Sequence, residues 1–423
     1  MRRPAVRDLT IVLAISWLAR ILFIAAIGDA HSLDVEYWQG ALAAQDEGRN
    51  PYETGVLNWP PLWLEIIVVL DTAAKFADIS FWSALRIYLI LVESALVVTL
   101  YLTLVSVGAS RDAVRRALLL GIALNPVTII LVCQHGNSDV NVGLFVTLAL
   151  AALIAHWRSR DVVFWLVGCL LLGLGVLAKT VPLVLAPVLV PGARLASLTG
   201  RVLGVTLLLG PAALGLTVIM ALVPRAVLDH VLGYRSTRGF FGLSGVLAEL
   251  TSIDGRSNYG TVFTLAIILM VVWLCYRLSR EPPLAPPRLF LLVAVIFMVV
   301  VAFGPGYGAQ YAYWFIPALI ATYVLLDDAW RRLLRIGYVI AGVTYAVEYA
   351  FVPFLGWYAN AIVGSTDWIA DVSDYLTVPH RLVLFRLPLF MIYLLVIAGG
   401  IARLAKLRTS EPLLASAQRS ESS

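Results

Sequence analysis

Asp34 lies in Ser-Leu-Asp-Val-Glu-Tyr-Trp, just beyond the first apolar run of the chain. A carboxylate at a membrane surface can take a proton from a hydroxyl group, provided the two come within hydrogen-bond reach. The same residue would also serve as a solvated loop acid, or as the cap of a helix beginning near Val35. Glu36 follows two positions later. A second polar island, Gln-His-Gly-Asn-Ser-Asp-Val-Asn at 134–141, separates two apolar runs. Its His135, Asn137 and Asp139 are too dense for a hairpin facing lipid and suit a hydrated cavity, with helix capping as the other reading of Asp139. Lys179 ends an apolar run in Leu-Ala-Lys-Thr-Val-Pro, so it either snorkels to the headgroups or meets a phosphate as a point charge. Arg235 and Arg238, in Gly-Tyr-Arg-Ser-Thr-Arg-Gly-Phe-Phe, are a basic patch fit for anionic headgroups or for a specific phosphate. Gln310 and Tyr311 sit in the glycine-rich, then aromatic stretch 304–314. Rings there, Tyr307 and Tyr313 included, are suited to stacking on a sugar or to the interfacial aromatic belt.

These residues need elements to hold them, and composition says which kind. The chain has 423 residues, 61% hydrophobic and 13% charged, against roughly 25% charged in an ordinary soluble domain. Its mean hydropathy is +0.89. The expectation is an all-α polytopic membrane protein. Apolar runs at 9–27, 83–105, 117–133, 140–155, 162–178, 181–192, 202–222, 260–277, 289–303, 312–326, 336–352 and 384–402 give about twelve transmembrane helices at about 20 residues per span. The run 181–192 is short enough to be a broken or half helix. The three cysteines all fall in apolar runs, so no disulfide framework is visible. The formal charge of +5 suggests cytoplasmic arginines rather than a nucleic-acid partner.

The segment 62–80 decides the topology. With Glu65, Asp71, Lys75 and Asp78 it suits an interface better than a bilayer centre. Kept on the outer side, it lets the arginine clusters at 2–7, 111–116, 158–160, 194–201, 277–288, 331–335 and 403–408 all fall inside, as the positive-inside rule requires. The outer side then carries the loop 28–80, the turn 134–139, Lys179, the loop 224–258, the turn 304–311 and the loop 353–383, with His31, His135, His230 and His380 among them. We expect one transmembrane domain over 1–408, juxtamembrane helices within 28–80, a disordered cytoplasmic tail at 409–423, and both termini in the cytoplasm of what reads as a bacterial cell. Arg20, Glu93 and Glu348 fall inside predicted spans; Arg20 with Glu93 would make a structural pair.

An ordered series of motifs carries a resemblance: Asp34 in the first outer loop, Gly-Arg-Asn-Pro-Tyr-Glu at 48–53, Trp-Pro-Pro-Leu-Trp at 59–63, His-Gly-Asn-Ser-Asp before an apolar helix, the run 173–190 around Lys179, and Gly-Ala-Gln-Tyr-Ala-Tyr-Trp at 308–314. Together they resemble the GT-C superfamily of membrane glycosyltransferases, and within it the family 87 (DUF2029-like) polyprenyl-phosphate-mannose-dependent mannosyltransferases. The likeness covers about the first three quarters of the chain; the remainder matches only in hydropathy. It implies an outer-face active site, a sugar donor linked to polyprenyl phosphate, and transfer of a hexose such as mannose, with inversion, to a lipid-linked glycan, glycolipid or protein. Asp34 matches the first-loop acid that serves as general base. Lys179 falls near positions of lipid-phosphate contacts. The family's Tyr-Pro-Pro is Trp59-Pro60-Pro61 here. Asp34 and Glu36 resemble the metal-binding pairs of the oligosaccharyltransferase branch, yet no further ligands follow, so no metal is expected to be needed. The rival readings are a transporter or flippase for a lipid-linked sugar, which should line its midplane with polar groups, and a non-catalytic scaffold, which would tolerate loss of Asp34.

Overall fold

The computed structural model describes residues 3–55, 57–232, 241–251, 256–306, 308–347 and 379–407. The described chain is helical throughout. Helix α1 spans Arg3–Ile27, α2 Leu33–Asp46, α3 Pro61–Ala77 and α4 Phe81–Ser106. A bent element follows, α5 (Arg111–Leu118) and α6 (Pro126–Ile130), each ending in a π-helical turn, at Leu119–Ala123 and Leu131–His135. Then come α7 (Asp139–Ser159), α8 (Val162–Ala178), α9 (Ala186–Ala193) and α10 (Leu198–Leu222). The last are the single turn α11 (Pro224–Ala226), α12 (Gly242–Thr251), α13 (Arg256–Leu278), α14 (Pro286–Phe303), α15 (Ala312–Leu325), α16 (Asp328–Tyr345) and α17 (Pro379–Leu407).

Among the described residues seven helices are long and apolar enough to cross a bilayer, and eight if the bent pair α5–α6 is one span. The protein is a multi-pass membrane protein. Of the twelve runs expected from hydropathy, three (α8, the 181–193 segment and α15) are shorter apolar helices, below the about 20 residues a straight crossing takes, and the run 336–352 lies partly outside the described residues. The 181–193 segment is indeed broken: a 3₁₀ turn at Val181–Leu185 precedes α9. Helix α3 starts at Pro61, where a missing N–H costs nothing; it has 17 residues, carries Glu65, Asp71 and Lys75, and is not among the helices long and apolar enough to cross. It packs against α4, α8 and α10.

Helix α14 is buried on nearly every face, from Leu289 to Ala302, as an apolar helix inside a bundle should be. Helices α10 and α13 instead turn Leu203, Leu214, Leu269 and Trp273 outward, which suits lipid. The bend between α5 and α6 is 47° and leaves carbonyls without helical partners. Arg20 of α1 repairs it, donating to the carbonyls of Ala123 at 3.0 Å and Ile122 at 3.3 Å. The same guanidinium pairs with Glu93, Nε to Oε2 at 2.5 Å and Nη2 to Oε1 at 2.6 Å, and Tyr313 donates its hydroxyl to Glu93. Arg20 and Glu93 therefore form the expected structural pair.

Helix direction sorts the polar groups into two ends. Arg158, near the end of α7, donates to the carbonyl of Ser106 at the end of α4, and Asp8 near the start of α1 binds Arg115 at 3.1 Å. Glu281 binds Arg288 at 2.5 Å, and its carbonyl accepts from Arg194 at 2.9 Å. These ion pairs mark the arginine end. The starts of α4 and α7 and the end of α8 lie at the other.

Candidate active site

At that other end four pieces of chain meet: the start of α2, the π turn at 131–135 with the residues after it, the end of α8, and the start of α15. Ser32 occupies the cap position of α2, but its hydroxyl donates to the carbonyl of His135 at 2.7 Å, which ties the first loop to the π turn. Arg86 of α4 adds a clamp, donating to the carbonyls of Cys133 at 2.8 Å and Ala30 at 3.2 Å. Its guanidinium lies 4.3 Å from the centre of the Trp82 ring, and Trp82 in turn meets His31 edge-on. Gly136 closes the turn with φ of 68°. A Cβ there would come within 2.4 Å of Trp82, so conformation and space both demand glycine. A π turn widens a helix at the point where side chains must be re-aimed.

Asp34 is thereby set against the polar island. His135 Nε2 stands 3.3 Å from Asp34 Oδ2, and the Asn137 amide donates to the same oxygen. Among the described residues both contacts converge on Oδ2, leaving Oδ1 for an incoming group. Burial would raise the Asp34 carboxyl above its ordinary 3.8, but the hydrogen bond and charge of His135, the charge of Lys179 and the Asn137 amide outweigh it, and the net shift is downward. The carboxylate is thus held ionised in a half-buried position, at 22% side-chain exposure.

Beside it lies a second cluster. Lys179 closes α8 in extended conformation and donates to Asp139 at 2.8 and 3.0 Å. Trp314 of α15 also donates to Asp139. The Lys179 ammonium sits 4.8 Å from the Tyr311 ring centre and 5.3 Å from that of Trp314, and the two rings stack at 4.3 Å. Asp139 stands in the first turn of α7, where the helix dipole also favours a carboxylate. Next to it Asn141 accepts from the Tyr88 hydroxyl at 2.5 Å.

Of the residues singled out in the sequence, the fold brings together Asp34, His135, Asn137, Asp139, Lys179 and Tyr311. Gln310 is half-buried in the turn before Tyr311. Glu36 is exposed, two positions from Asp34 on α2. Among the described residues no three His, Cys, Asp or Glu side chains gather as metal ligands. His380 falls in the first turn of α17. Arg235, Arg238, Tyr307, Glu348 and the tail 409–423 lie outside the described residues. Three contributors were missed: Arg86, whose only signal was an arginine at the head of an apolar run, Ser32, and Trp314 as a carboxylate's partner.

No protein-family model and no curated protein matches the sequence. Among solved structures the chain is similar to ArnT from Cupriavidus metallidurans, in its crystal structure bound to undecaprenyl phosphate. The TM-score is 0.53 at 16% identity, over 94% of this chain and 77% of that one. Identity that low speaks for the fold alone: the described residues are all helical, and the fold is like that of ArnT.

Proposed function

We propose that the protein is an inverting glycosyltransferase that moves a hexose from a polyprenyl-phosphate donor to a hydroxyl acceptor on the outer face of the membrane. The observation that carries this reading is the Asp34 carboxylate, held by His135 and Asn137 at Oδ2 with Oδ1 unengaged among the described residues. The ArnT-like fold supports a lipid-phosphate donor, since that neighbour was crystallised with undecaprenyl phosphate.

In this reading the acceptor hydroxyl gives its proton to Asp34 Oδ1 as its oxygen bonds to the anomeric carbon. The bond from that carbon to the phosphate oxygen breaks, and the electron pair leaves with the lipid phosphate, so the anomeric centre inverts. Asp34 then returns the proton to water. The departing group is a phosphate monoester, already a good anion, so charge stabilisation matters more than acid assistance. An ammonium has three N–H groups; Lys179 uses its two contacts on Asp139, and the third serves the phosphate, with Arg235 and Arg238, outside the described residues, as the sequence's further candidates for it. Gln310 and Tyr311 serve the sugar and acceptor, with Glu36 and His380 as further candidates from the sequence. Holding both reactants at the bilayer surface supplies proximity. The arginine end faces the cytoplasm of a bacterial cell, with both termini, and within the superfamily the family 87-like mannosyltransferases remain the reading for donor and sugar.

The test is release of polyprenyl phosphate from a panel of polyprenyl-phosphate hexoses, with purified protein and a membrane-lipid acceptor extract. Wild type should release it and a folded Asp34→Asn variant should not. Equal release by both removes Asp34 as base. Movement of the intact lipid-linked sugar across liposomes, without release, would make the protein a flippase instead.

A further inference from the structure

A cavity of about 460 Å³ opens between α5, α15, α16 and α17, and none of Asp34, His135, Asp139 or Lys179 lines it. Its walls are apolar, formed by Leu120, Phe315, Ile316, Leu319, Ile392 and Val396 among others. Helix α15 lines it from Ala312 to Val324. At 1.5 Å per residue that is roughly 18 Å, close to one leaflet of an about 30 Å hydrocarbon core. The ionic lining lies at the arginine end: Arg116, Arg331 and Arg335 against Asp328. Arg331 is engaged with Asp328 at 3.0 Å, and Arg116 shares an exposed Asp112 at 2.7 Å. Arg335 contacts the Arg331 carbonyl at 3.4 Å and meets no carboxylate among the described residues.

We propose that this cavity is a binding site for one anionic glycerophospholipid, separate from the active site, with an acyl chain along α15 and the headgroup phosphate on Arg335 and Arg116. The apolar slot takes a chain, in a protein whose surroundings are lipid. Basic mouths between membrane helices take lipid phosphates, each arginine adding to the attraction. The donor lipid is the poorer occupant, because its phosphate must reach the Asp34 end while the cavity's cationic groups sit at the opposite one. Gly121 is part of the wall, and a Cβ there would meet the Ile320 side chain at 2.8 Å.

The experiment is native mass spectrometry of the purified full chain, delipidated and then offered phosphatidylglycerol, phosphatidylcholine or undecaprenyl phosphate. Wild type should hold one phosphatidylglycerol in preference to phosphatidylcholine. The Arg116→Ala/Arg335→Ala double variant, altered only at exposed positions, should lose roughly thirtyfold of that affinity. Leu319→Trp, which fills the slot, should abolish retention of both lipids. Equal retention of the two phospholipids by wild type, or an undiminished preference in the double arginine variant, would overturn the proposal. Displacement of phosphatidylglycerol by equimolar undecaprenyl phosphate would overturn it in favour of a carrier-lipid groove.

Discussion

Asp34 and Glu93 are both carboxylates drawn out of water by the same bundle, and they are finished in opposite ways. Glu93 is 1% exposed, and each of its oxygens is taken, Oε2 by Arg20 and Oε1 by Arg20 and Tyr313. Asp34 is 22% exposed, and its described partners, His135 and Asn137, both meet Oδ2. Buried charge is tolerable only when fully partnered, and Glu93 obeys that rule. A carboxylate with an unengaged oxygen at the edge of a polar pocket is what proton transfer requires. The difference between structural and chemical acid therefore lies in how completely the oxygens are covered, more than in depth.

The largest effects should separate the two residues cleanly. Asp34→Asn should lower turnover by roughly 10²- to 10⁴-fold, the usual worth of a general base, while thermal unfolding of the purified protein moves far less than for a fully buried pair. Glu93→Gln should do the reverse. Removing one partner of a buried pair costs about 3–5 kcal/mol, read as a lowered unfolding midpoint. The double change Glu93→Leu with Arg20→Met should recover only part of the loss: it removes the stranded charge but takes Arg20 from the Ala123 and Ile122 carbonyls and Glu93 from the Tyr313 hydroxyl. If Asp34→Asn unfolded the protein as Glu93→Gln does, the distinction between them would collapse.

A middle-sized effect concerns protons. Folding holds the Asp34 carboxyl below its ordinary 3.8, with the hydrogen bond of His135 the strongest of the lowering influences. A group whose folded value is depressed favours the fold when ionised. That contribution is complete above the ordinary carboxylate value and fades as pH falls through the folded one. The acidic limb of kcat/KM assigned to Asp34 should accordingly lie below pH 3.8. His135→Leu should move the limb upward, since it removes the hydrogen bond and any charge and leaves the desolvation. A limb that stays in place would show that His135 does not tune the acid.

Much of this fold was legible because membrane helices write themselves as apolar runs. Helices α4, α7, α10 and α14 lie close to the runs read from sequence. The number of full spans was not legible, because hydropathy cannot tell a short apolar helix such as α8 or α15 from a crossing one. The polar island at 134–141 and the acid at 34 could be picked out individually, since polarity between apolar runs needs a reason. Their meeting could not. It depends on Ser32 and Arg86 holding backbone carbonyls of the π turn, and contacts to carbonyls leave no trace in residue type. Trp314 was read as one ring in an aromatic stretch, although its indole N–H is aimed at Asp139.

The smallest expected effect belongs to a third carboxylate arrangement near the same end of the bundle, which tests whether proximity alone explains anything. Lys75 binds Asp71 at 2.7 Å and Asp46 at 3.1 Å, linking α3 to α2, the helix that carries Asp34. Hydrogen bonds to Asp71 and then Asp46 raise its ammonium further above an already high ordinary value, so it stays charged throughout the working pH range. All that attraction acts in water, with Lys75 59% exposed, where ion pairs add little and salt screens them. Lys75→Ala should therefore leave unfolding and turnover at wild-type values in moderate salt. The loop is held from inside instead: Trp38, fully buried, meets Trp59 and Trp63 edge-on at 5.6 and 5.1 Å, and Tyr52 donates to the Trp59 carbonyl at 3.1 Å. A clear loss of turnover in Lys75→Ala would mean that the exposed pair, and not this aromatic clasp, sets where α2 presents Asp34.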